Sequence, residues 1–227
     1  MASYIIGVDL GLLHDRSALS IVEETPERVY RCAHLQVWQP GIPPRQILDD
    51  TLALIDRMLQ QKQRKVRAGR SQLAPLHTVW VVLDITMAGV PIGHMFERAL
   101  TAIDVALLTV TVTSGTQTVA ESAWDVRLPK RDIASLLGVL LGSGRLEIAR
   151  DLPYAAALRT EMHNFKPTKL TVDDAALDWR TREHDDLVLA TALACWAAEY
   201  GYRRPDYSNW PQAIVVTRDE MARRFGI

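Results

Sequence analysis

Residues 4–11 read Tyr-Ile-Ile-Gly-Val-Asp-Leu-Gly. The compact apolar run over residues 4–9 predicts a buried strand that ends at Asp9, and Gly11 permits a tight turn directly after it. A carboxylate at the end of a buried strand is costly unless it is paired or bound to a cation. This stretch therefore predicts the first strand of a sheet and places a candidate functional group at its end.

The remaining sequence continues as strands and helices. Besides the first strand, apolar and β-branched runs predict strands at residues 17–23, 28–38, 78–84, 105–113 and 146–148. Helical spacing predicts helices at residues 47–59, 96–102, 131–141, 153–165 and 185–200. The first three strands are expected to form an antiparallel meander. The order predicts an α/β architecture, a mixed sheet with helices on both faces, and it resembles the order of ribonuclease-H-like folds.

Length and composition are those of one sizeable globular domain. The chain has 227 residues, of which 48% are hydrophobic and 23% are charged. Residues 1–205 are therefore expected to form one domain, and residues 206–227 a C-terminal extension of it. The net charge of −1 gives the whole molecule no general attraction for a polyanion, so any nucleic-acid contact must come from local charge.

Several sequence features favour a cytoplasmic location. The N-terminus has no basic segment followed by a long apolar run, so no signal peptide is expected. No apolar run approaches the ~20 residues of a membrane span. Cys32 and Cys195 lie in apolar stretches, and no Cys/His spacing suggests a zinc site. We expect a reduced, cytoplasmic protein without a membrane partner.

Acidic residues stand at the ends of three predicted elements. Asp84 ends a second apolar strand, as Asp9 ends the first, and Asp185 and Asp186 open the last long helix. Such ends can converge at one edge of a sheet, where the carboxylates would repel one another unless a proton or a cation joined them. Aspartate oxygens suit hard ions such as Mg²⁺ or Mn²⁺, and two ions about 3.5–4 Å apart can activate water against a phosphodiester.

Each aspartate also has an ordinary structural interpretation. Asp9 could be a turn residue, and Asp84, which precedes Ile-Thr, could end its strand in a structural hydrogen bond. Asp185 could cap the helix that follows it or favour its positive end. The combination of the three positions, rather than any one of them, favours a metal site.

Three stretches carry a resemblance to a known family: Gly7-Val8-Asp9-Leu10-Gly11, Val82-Leu83-Asp84-Ile85-Thr86-Met87-Ala88-Gly89-Val90 and His184-Asp185-Asp186-Leu187-Val188. They resemble the nuclease domain of phage terminase large subunits, which is related to Holliday-junction resolvases of the RuvC type. The similarity extends over roughly residues 4–200. It implies that residues 1–205 are a ribonuclease-H-like nuclease domain that cuts double-stranded DNA during genome packaging, using two Mg²⁺ or Mn²⁺ ions.

The resemblance implies roles for individual residues. Asp9 would bridge both ions, while Asp84 and Asp185 would each complete one ion site. Asp186 would substitute for Asp185 or support it. His184 would orient a carboxylate rather than bind metal.

Softer matches lie outside the three stretches. Asp15 stands where many terminases carry a second acidic residue, and Lys130, ahead of a helix, resembles a lysine found there in these nucleases. Leu158 and Glu161 also fit the pattern. Lys130 and Arg131 are the preferred candidates for contacting DNA near the cut, with ordinary surface charge as the alternative.

Basic residues also cluster upstream of Asp84. Residues 57–83 include no acidic residue and six basic ones: Arg57, Lys62, Arg64, Lys65, Arg67 and Arg70. The strand that ends at Asp84 separates this segment from the carboxylates by roughly 20 Å at ~3.3 Å per residue. A solvated helix end is therefore favoured over a DNA contact, since cations also suit a helix C-terminus.

The setting and two other function classes stay open. No Gly-x-x-x-x-Gly-Lys-Ser/Thr phosphate loop occurs, so the chain would be an excised domain or a stand-alone relative, encoded by a prophage or acting in a bacterial host. It could then work with a separate packaging ATPase or other phage packaging proteins. Alternatively, ATP-using enzymes of the actin and sugar-kinase superfamily also open with Gly-x-Asp-x-Gly, but they need a second glycine-rich loop. A non-catalytic module that binds DNA or a packaging partner could retain the fold without cleaving.

Overall fold

The computed structural model describes residues 3–11, 15–67, 79–122, 124–165 and 185–201. The strands in these ranges are β1 (Ser3–Asp9), β2 (Ser17–Glu24), β3 (Tyr30–Trp38), β4 (Val79–Asp84), β5 (Ala106–Thr113), β6 (Val119–Ala120), β7 (Asp125–Pro129) and β8 (Leu146–Ile148). The helices are α1 (Pro44–Arg67), α2 (Gly89–Thr101), α3 (Lys130–Gly142), α4 (Ala155–Asn164) and α5 (Asp186–Trp196). A π-helical segment, Ala197–Gly201, continues α5.

The strands form one mixed sheet in the order β6-β7-β5-β4-β1-β2-β3-β8. β1, β2 and β3 make the predicted antiparallel meander, whereas β4, β5 and β7 continue from β1 as parallel neighbours. A parallel pair needs a crossover connection, and α2 supplies the one between β4 and β5. The carboxyl ends of β1, β4, β5 and β7 therefore lie along one edge of the sheet.

Each face of the sheet is covered by its own set of helices. Ile6 and Val8 point to one face, where they join a core with Phe96 of α2 and with apolar residues of α1. Ile5 points to the other face, where it joins a core with Leu193 of α5 and with residues of α3 and α4. The alternation follows from the two-residue period of a strand. The predicted mixed sheet with helices on both faces is confirmed.

The last helix lies unusually close to the first strand. Every residue of α5 from Leu187 to Trp196 is buried. A Cβ atom on Gly7 would lie 1.9 Å from the carbonyl oxygen of Ala190, so only glycine fits at this point of β1. Because Gly7 precedes Asp9 by two residues and Ala190 lies in the N-terminal half of α5, this approach brings the start of the helix beside the end of the strand.

Two parts of the fold differ from the predicted order. β6 and β7 are additional strands: β7 has five residues, and charged Asp125 and Arg127 interrupt its apolar pattern. α2 begins at Gly89 rather than at residue 96. Its first turn contains Pro91, which a helix tolerates there because the first N–H groups have no partner within the helix.

The described ranges do not test every prediction. Residues 206–227 lie outside the described residues, so the domain boundary at residue 205 stays a prediction. None of the described helices combines the length and the apolar character needed to cross a bilayer. Cys32 and Cys195 are buried free thiols.

Candidate metal centre

The ends of two adjacent parallel strands bring the first pair of carboxylates together. Asp9 and Asp84 are register partners at the last positions of β1 and β4. Neighbouring strands lie about 4.8 Å apart. Ile5 and Val82 belong to the core under α5, and residues an even number of positions further along a strand share the same face. Asp9 and Asp84 therefore lie on the face of the sheet that carries α5.

Burial and mutual repulsion act on Asp9. Its side chain is only partly exposed, and its pKa lies well above the ordinary value, chiefly because of burial. The negative charges of Asp84, Asp186 and Asp185 raise the pKa further, in that order. Lys130 acts against them. The end of β1 thus lies within the electrostatic reach of the start of α5.

Asp84 is held by the loop that follows it. The residue is 5% exposed, and burial raises its pKa, with a smaller rise from the charge of Asp185. The backbone N–H of Thr86 donates a hydrogen bond of 2.7 Å to Asp84 Oδ1, and the Thr86 hydroxyl donates to the same oxygen. Both hydrogen bonds favour the ionised form and lower the pKa. The structural hydrogen bond considered for Asp84 therefore exists, and it orients the carboxylate within the site.

Asp185 pairs with a lysine instead of capping its helix. The residue stands immediately before α5, yet its side chain makes no hydrogen bond to the helix backbone. Asp185 Oδ2 forms an ion pair with Nζ of Lys130, the first residue of α3. Lys130 Nζ also lies 4.9 Å from the centre of the Phe165 ring. The capping interpretation of Asp185 is therefore wrong for its side chain.

Glu161 of α4 supplies a fifth carboxylate. Its Oε2 accepts a hydrogen bond of 2.9 Å from the backbone N–H of Val188, in the first turn of α5. Burial raises the pKa of Glu161 to about 7, and the charges of Asp186 and Asp185 contribute to the rise. Hydrogen bonds from the backbone of Val188 and Leu187 act in the opposite direction. Glu161 therefore lies at the edge of the acidic cluster.

The donor set fits a hard divalent cation in type and in charge. Asp9, Asp84, Asp185 and Asp186 are close enough for their charges to couple, and Lys130 is the cation that the described structure places against them. Oxygen donors with excess negative charge are what Mg²⁺ and Mn²⁺ prefer. Within the described ranges, no three His, Cys, Asp or Glu side chains are already gathered closely enough to hold a metal ion. Ligation by Asp185 would exchange its lysine partner for the ion.

The remaining predicted residues lie around this cluster or beyond the described ranges. Asp15 is exposed in the segment before β2, and the larger electrostatic effects on Asp9 come from other carboxylates. Arg131 is exposed, donates to the carbonyl oxygen of Thr116 and lies 3.4 Å from Asp132. His184 lies outside the described residues. In the basic segment of residues 57–70, Arg57 is exposed, and residues 68–70 lie outside the described ranges.

Three contributors to the site were not expected from its motifs. Thr86 lies within the second motif stretch, which assigns it no role. Glu161 fits the family pattern without a role of its own, and Phe165 is predicted only to end a helix. The signal for Thr86 is a hydroxyl two residues after a strand-terminal aspartate, a spacing at which side chains and backbone readily exchange hydrogen bonds. Glu161 and Phe165 act across long sequence distances, and no local pattern identifies such contacts.

This chain resembles known proteins in its structure rather than in its sequence. No protein-family model matches the sequence, and no curated protein sequence matches it. The structure resembles the human cytomegalovirus terminase nuclease domain, determined from an Mn-soaked crystal. The TM-score is 0.57 and the identity 12%, covering 89% of this chain and 86% of that chain.

Two further solved structures are similar at lower scores. The large terminase nuclease from thermophilic phage G20c matches with a TM-score of 0.45 and 21% identity, over 88% of this chain and 83% of that chain. Thermus thermophilus RuvC matches with a TM-score of 0.41 and 11% identity, over 89% and 96%. The resemblance expected from the sequence motifs is confirmed at the level of fold: this chain folds as a ribonuclease-H-like domain, with the architecture of the cytomegalovirus terminase nuclease domain.

Proposed function

We propose that this protein is a divalent-metal-dependent endonuclease that hydrolyses phosphodiester bonds in double-stranded DNA. The observation that carries the proposal is that Asp9 and Asp84 are register partners at the carboxyl ends of adjacent parallel strands, with the charges of Asp185 and Asp186 at the start of α5 acting on Asp9. Such a cluster is unfavourable in an isolated protein, because burial and like charge oppose ionisation. Bound cations would neutralise the carboxylates and remove that cost.

The proposed roles follow the position of each carboxylate. Asp9, between β4 and the start of α5, would contact both ions, while Asp84 and Asp185 would each hold one, with Asp186 as a second candidate from the same helix. Two bound Mg²⁺ or Mn²⁺ ions would supply an activated water and stabilise the leaving oxygen. The protein itself keeps Asp84 oriented through Thr86 and supplies a positive charge from Lys130 beside the cluster.

DNA would approach along the carboxyl edge of the sheet. Lys130 and Arg131 begin α3 directly after β7, which lies two strands from β4, or roughly 10 Å at the usual strand spacing. Arg131 is exposed and could contact a phosphate next to the one being cut. Asp15, which is exposed and precedes β2, is proposed only as a supporting group, as is His184.

Plasmid cleavage in Mn²⁺ tests the proposal. Wild-type protein is expected to convert supercoiled plasmid to nicked and linear forms, and EDTA is expected to stop the reaction. Asp9→Asn and Asp84→Asn should abolish cutting while leaving the circular dichroism spectrum unchanged. Asp49→Asn is the matched control, because Asp49 is an exposed aspartate on α1 whose ion pair is with Arg45, one turn earlier in the same helix. Unchanged cleavage in either site variant would refute the site.

A non-catalytic DNA-binding module is the second candidate. The observation in its favour is that Asp185 is neutralised by Lys130, and that the described carboxylates are not yet gathered around a common ion position. This alternative predicts DNA binding in EDTA with the same affinity as in Mn²⁺, and no cleavage in either Mg²⁺ or Mn²⁺. The nuclease proposal predicts cleavage that depends on the metal ion.

The wider role proposed is in phage DNA packaging. Support comes from the terminase nuclease fold and from the sequence motifs quoted above. In this role the protein would act with a packaging ATPase carried on another polypeptide or domain. A test is whether the addition of a purified packaging ATPase changes the rate at which linear DNA ends are produced. No change with any candidate ATPase would favour a resolvase-type or other independent nuclease.

A further inference from the structure

The first turn of α5 is capped by a side chain from another helix. Backbone N–H groups at a helix start have no partner within the helix, and an aspartate at or near the start commonly accepts them. Here Glu161 of α4 does so instead: its Oε2 accepts 2.9 Å from the N–H of Val188. The N–H of Leu187 also interacts with this carboxylate.

This arrangement leaves the side chain of Asp185 for another contact. The Asp185 side chain makes no capping hydrogen bond and reaches Lys130 on α3. The charge of Asp186 acts on Asp9 at the end of β1 as well as on Glu161. A self-capping helix would turn one of these carboxylates back onto its own backbone, away from the strand ends.

The residue that directly follows α4 contacts the lysine of the site. Phe165 directly follows α4, and its ring lies 4.9 Å from Lys130 Nζ. Glu161 and Phe165 are four residues apart, so they lie on one side of the helix end. Phe165 therefore contacts Lys130, and Glu161 contacts the helix that follows Asp185. This part of the chain reaches both sides of the Lys130–Asp185 ion pair.

We propose that Glu161 is a positioning residue of the metal centre: by accepting the first backbone N–H groups of α5, it takes the place of Asp185 as the cap of that helix and leaves the Asp185 carboxylate free to reach Lys130, at the edge of the sheet where Asp9 and Asp84 end β1 and β4. This inference rests on the proposed metal-dependent nuclease function. It assigns Glu161 an effect on metal binding through geometry, without contact between Glu161 and an ion.

Two substitutions of Glu161 separate hydrogen-bond geometry from charge. Glu161→Gln removes the charge but keeps an oxygen at the same reach, so it can still accept from Val188. Glu161→Asp keeps the charge but withdraws the oxygen by one methylene. Glu147→Gln is the matched control, because Glu147 is an exposed carboxylate on β8 that pairs with Arg31 on the neighbouring strand.

Mn²⁺ affinity by isothermal titration calorimetry is the main readout, with plasmid cleavage at saturating Mn²⁺ as the second. Glu161→Asp is expected to lose about 10–100-fold in Mn²⁺ affinity, the usual effect of removing a group that orients a metal ligand. Glu161→Gln and Glu147→Gln should bind Mn²⁺ like the wild type. The amide signal of Val188 should show reduced protection from hydrogen exchange in Glu161→Asp and native protection in Glu161→Gln.

The outcomes distinguish this inference from the function on which it rests. Wild-type protein that binds no Mn²⁺ would refute the metal centre itself, and with it this role. Wild-type binding with equal affinity in Glu161→Asp would overturn the positioning role and leave the nuclease proposal intact. Loss of affinity in Glu161→Gln with retention in Glu161→Asp would also overturn it, because charge rather than reach would then be required.

Discussion

The Thr86 hydroxyl connects the backbone of one strand to a carboxylate at the end of the next. Its oxygen accepts a hydrogen bond of 2.7 Å from the N–H of Val112 on β5, and its proton goes to Asp84 Oδ1. A hydroxyl whose oxygen is already used as an acceptor has little freedom left for its proton. Asp84 is therefore oriented by a group that is itself fixed by the sheet.

Replacing Thr86 with valine tests this connection. Thr86→Val keeps the shape of the side chain and removes a hydrogen bond to a charged group, which contributes about 1.5–3 kcal/mol in proteins. Where that bond orients a metal-binding carboxylate, we expect cleavage in Mn²⁺ to fall about 10–100-fold. Thr86→Ser retains the hydroxyl and should cleave at close to the wild-type rate. Loss of cleavage in Thr86→Ser with retention in Thr86→Val would show that the methyl group, not the hydroxyl, is needed.

Sequence predicted the position of a residue where that position depends on its own element: Asp9 and Asp84 end β1 and β4. Asp9 and Asp84 could be selected because an apolar strand that ends in a carboxylate is unusual in itself. The cap on α5 could not be predicted, because Asp185 stands at the expected position, whereas Glu161 lies on a different helix, 27 residues before the Val188 N–H that it accepts. Which of the two carboxylates accepts the N–H groups is decided by how α4 packs against α5.

The contact between β1 and α5 is the element-level feature that brings the site together. A methyl group on Gly7 would lie 1.9 Å from the backbone oxygen of Ala190, and a backbone oxygen cannot move as a side chain can. α5 must shift outward to accept any larger residue. Because α5 also carries Asp185 and Asp186 at its start, that shift would separate them from Asp9.

Gly7→Ala is therefore expected to affect both stability and metal binding. We expect a loss of about 1–3 kcal/mol in the free energy of unfolding from overpacking, together with a weaker rise in melting temperature on addition of Mn²⁺. Gly138→Ala is the control, since Gly138 lies in the middle of α3 with nothing within 4 Å of an added Cβ. It should stabilise the protein by about 0.5–1 kcal/mol, because alanine is favoured over glycine inside a helix. Destabilisation of similar size in both variants would contradict the close approach.

The start of α3 provides a separate test of the DNA path. Arg131→Gln should weaken binding of a short DNA duplex and reduce the slope of log affinity against log salt by about 1, the value for one phosphate contact. The maximal cleavage rate should be unchanged, because Arg131 is not placed among the metal-binding groups. Arg45→Gln, an exposed arginine on α1, is the control and should leave the slope as in the wild type. An unchanged slope in Arg131→Gln would remove Arg131 from the proposed interface.

The element order shows where sequence patterns stop being informative. β1 and β4 are continuous apolar runs buried on both faces, so their sequence patterns clearly predict strands. β7 pairs with β5 through its backbone while Asp125 and Arg127 alternate with buried residues in only five positions. A window of that length does not distinguish a strand from a loop. The backbone hydrogen bonds that the sheet offers, rather than the side chains of β7, decide its structure.

At the scale of the whole molecule, charges are distributed unequally along the last helix and its π-helical continuation. Near the far end, Glu199 is 11% exposed in its side chain and forms ion pairs with Arg28 and Arg145, while the Tyr30 hydroxyl donates to it at 2.8 Å. At the start of α5, Asp185 forms an ion pair with Lys130, and the charges of Asp84, Asp186 and Asp185 all act on Asp9. One end is electrostatically complete and suits a structural role. At the other end, burial and like charge oppose ionisation, and either a bound cation or a proton would relieve the repulsion.

The same chemical change at the two ends should therefore have opposite effects on the metal-free protein. Asp9→Asn removes a repelled carboxylate and should raise the melting temperature in EDTA by a few degrees, given about 2–4 °C per kcal/mol for a chain of this size. Glu199→Gln removes the charged partner of two partly exposed arginines and should lower stability by about 1.5–3 kcal/mol. Thermal and urea unfolding at neutral pH measure both. A destabilised Asp9→Asn in EDTA would mean that the cluster is already compensated without metal.

The stability of the metal-free protein should also depend on pH. Folding raises the pKa of Asp9 and Asp84, and that of Glu161 to about 7, so the folded protein binds more protons than the unfolded chain. For Glu161 the resulting stability is fully present below the ordinary value of 4.5 and is lost as the pH rises through about 7. We therefore expect these groups to make metal-free protein less stable at pH 7.5 than at pH 5.5, and Mn²⁺ to restore the difference at pH 7.5. Glu161→Gln should flatten the decline measured by urea unfolding in EDTA, whereas Glu147→Gln should not. A wild-type decline that persists undiminished in Glu161→Gln, Asp9→Asn and Asp84→Asn would place its origin outside this cluster.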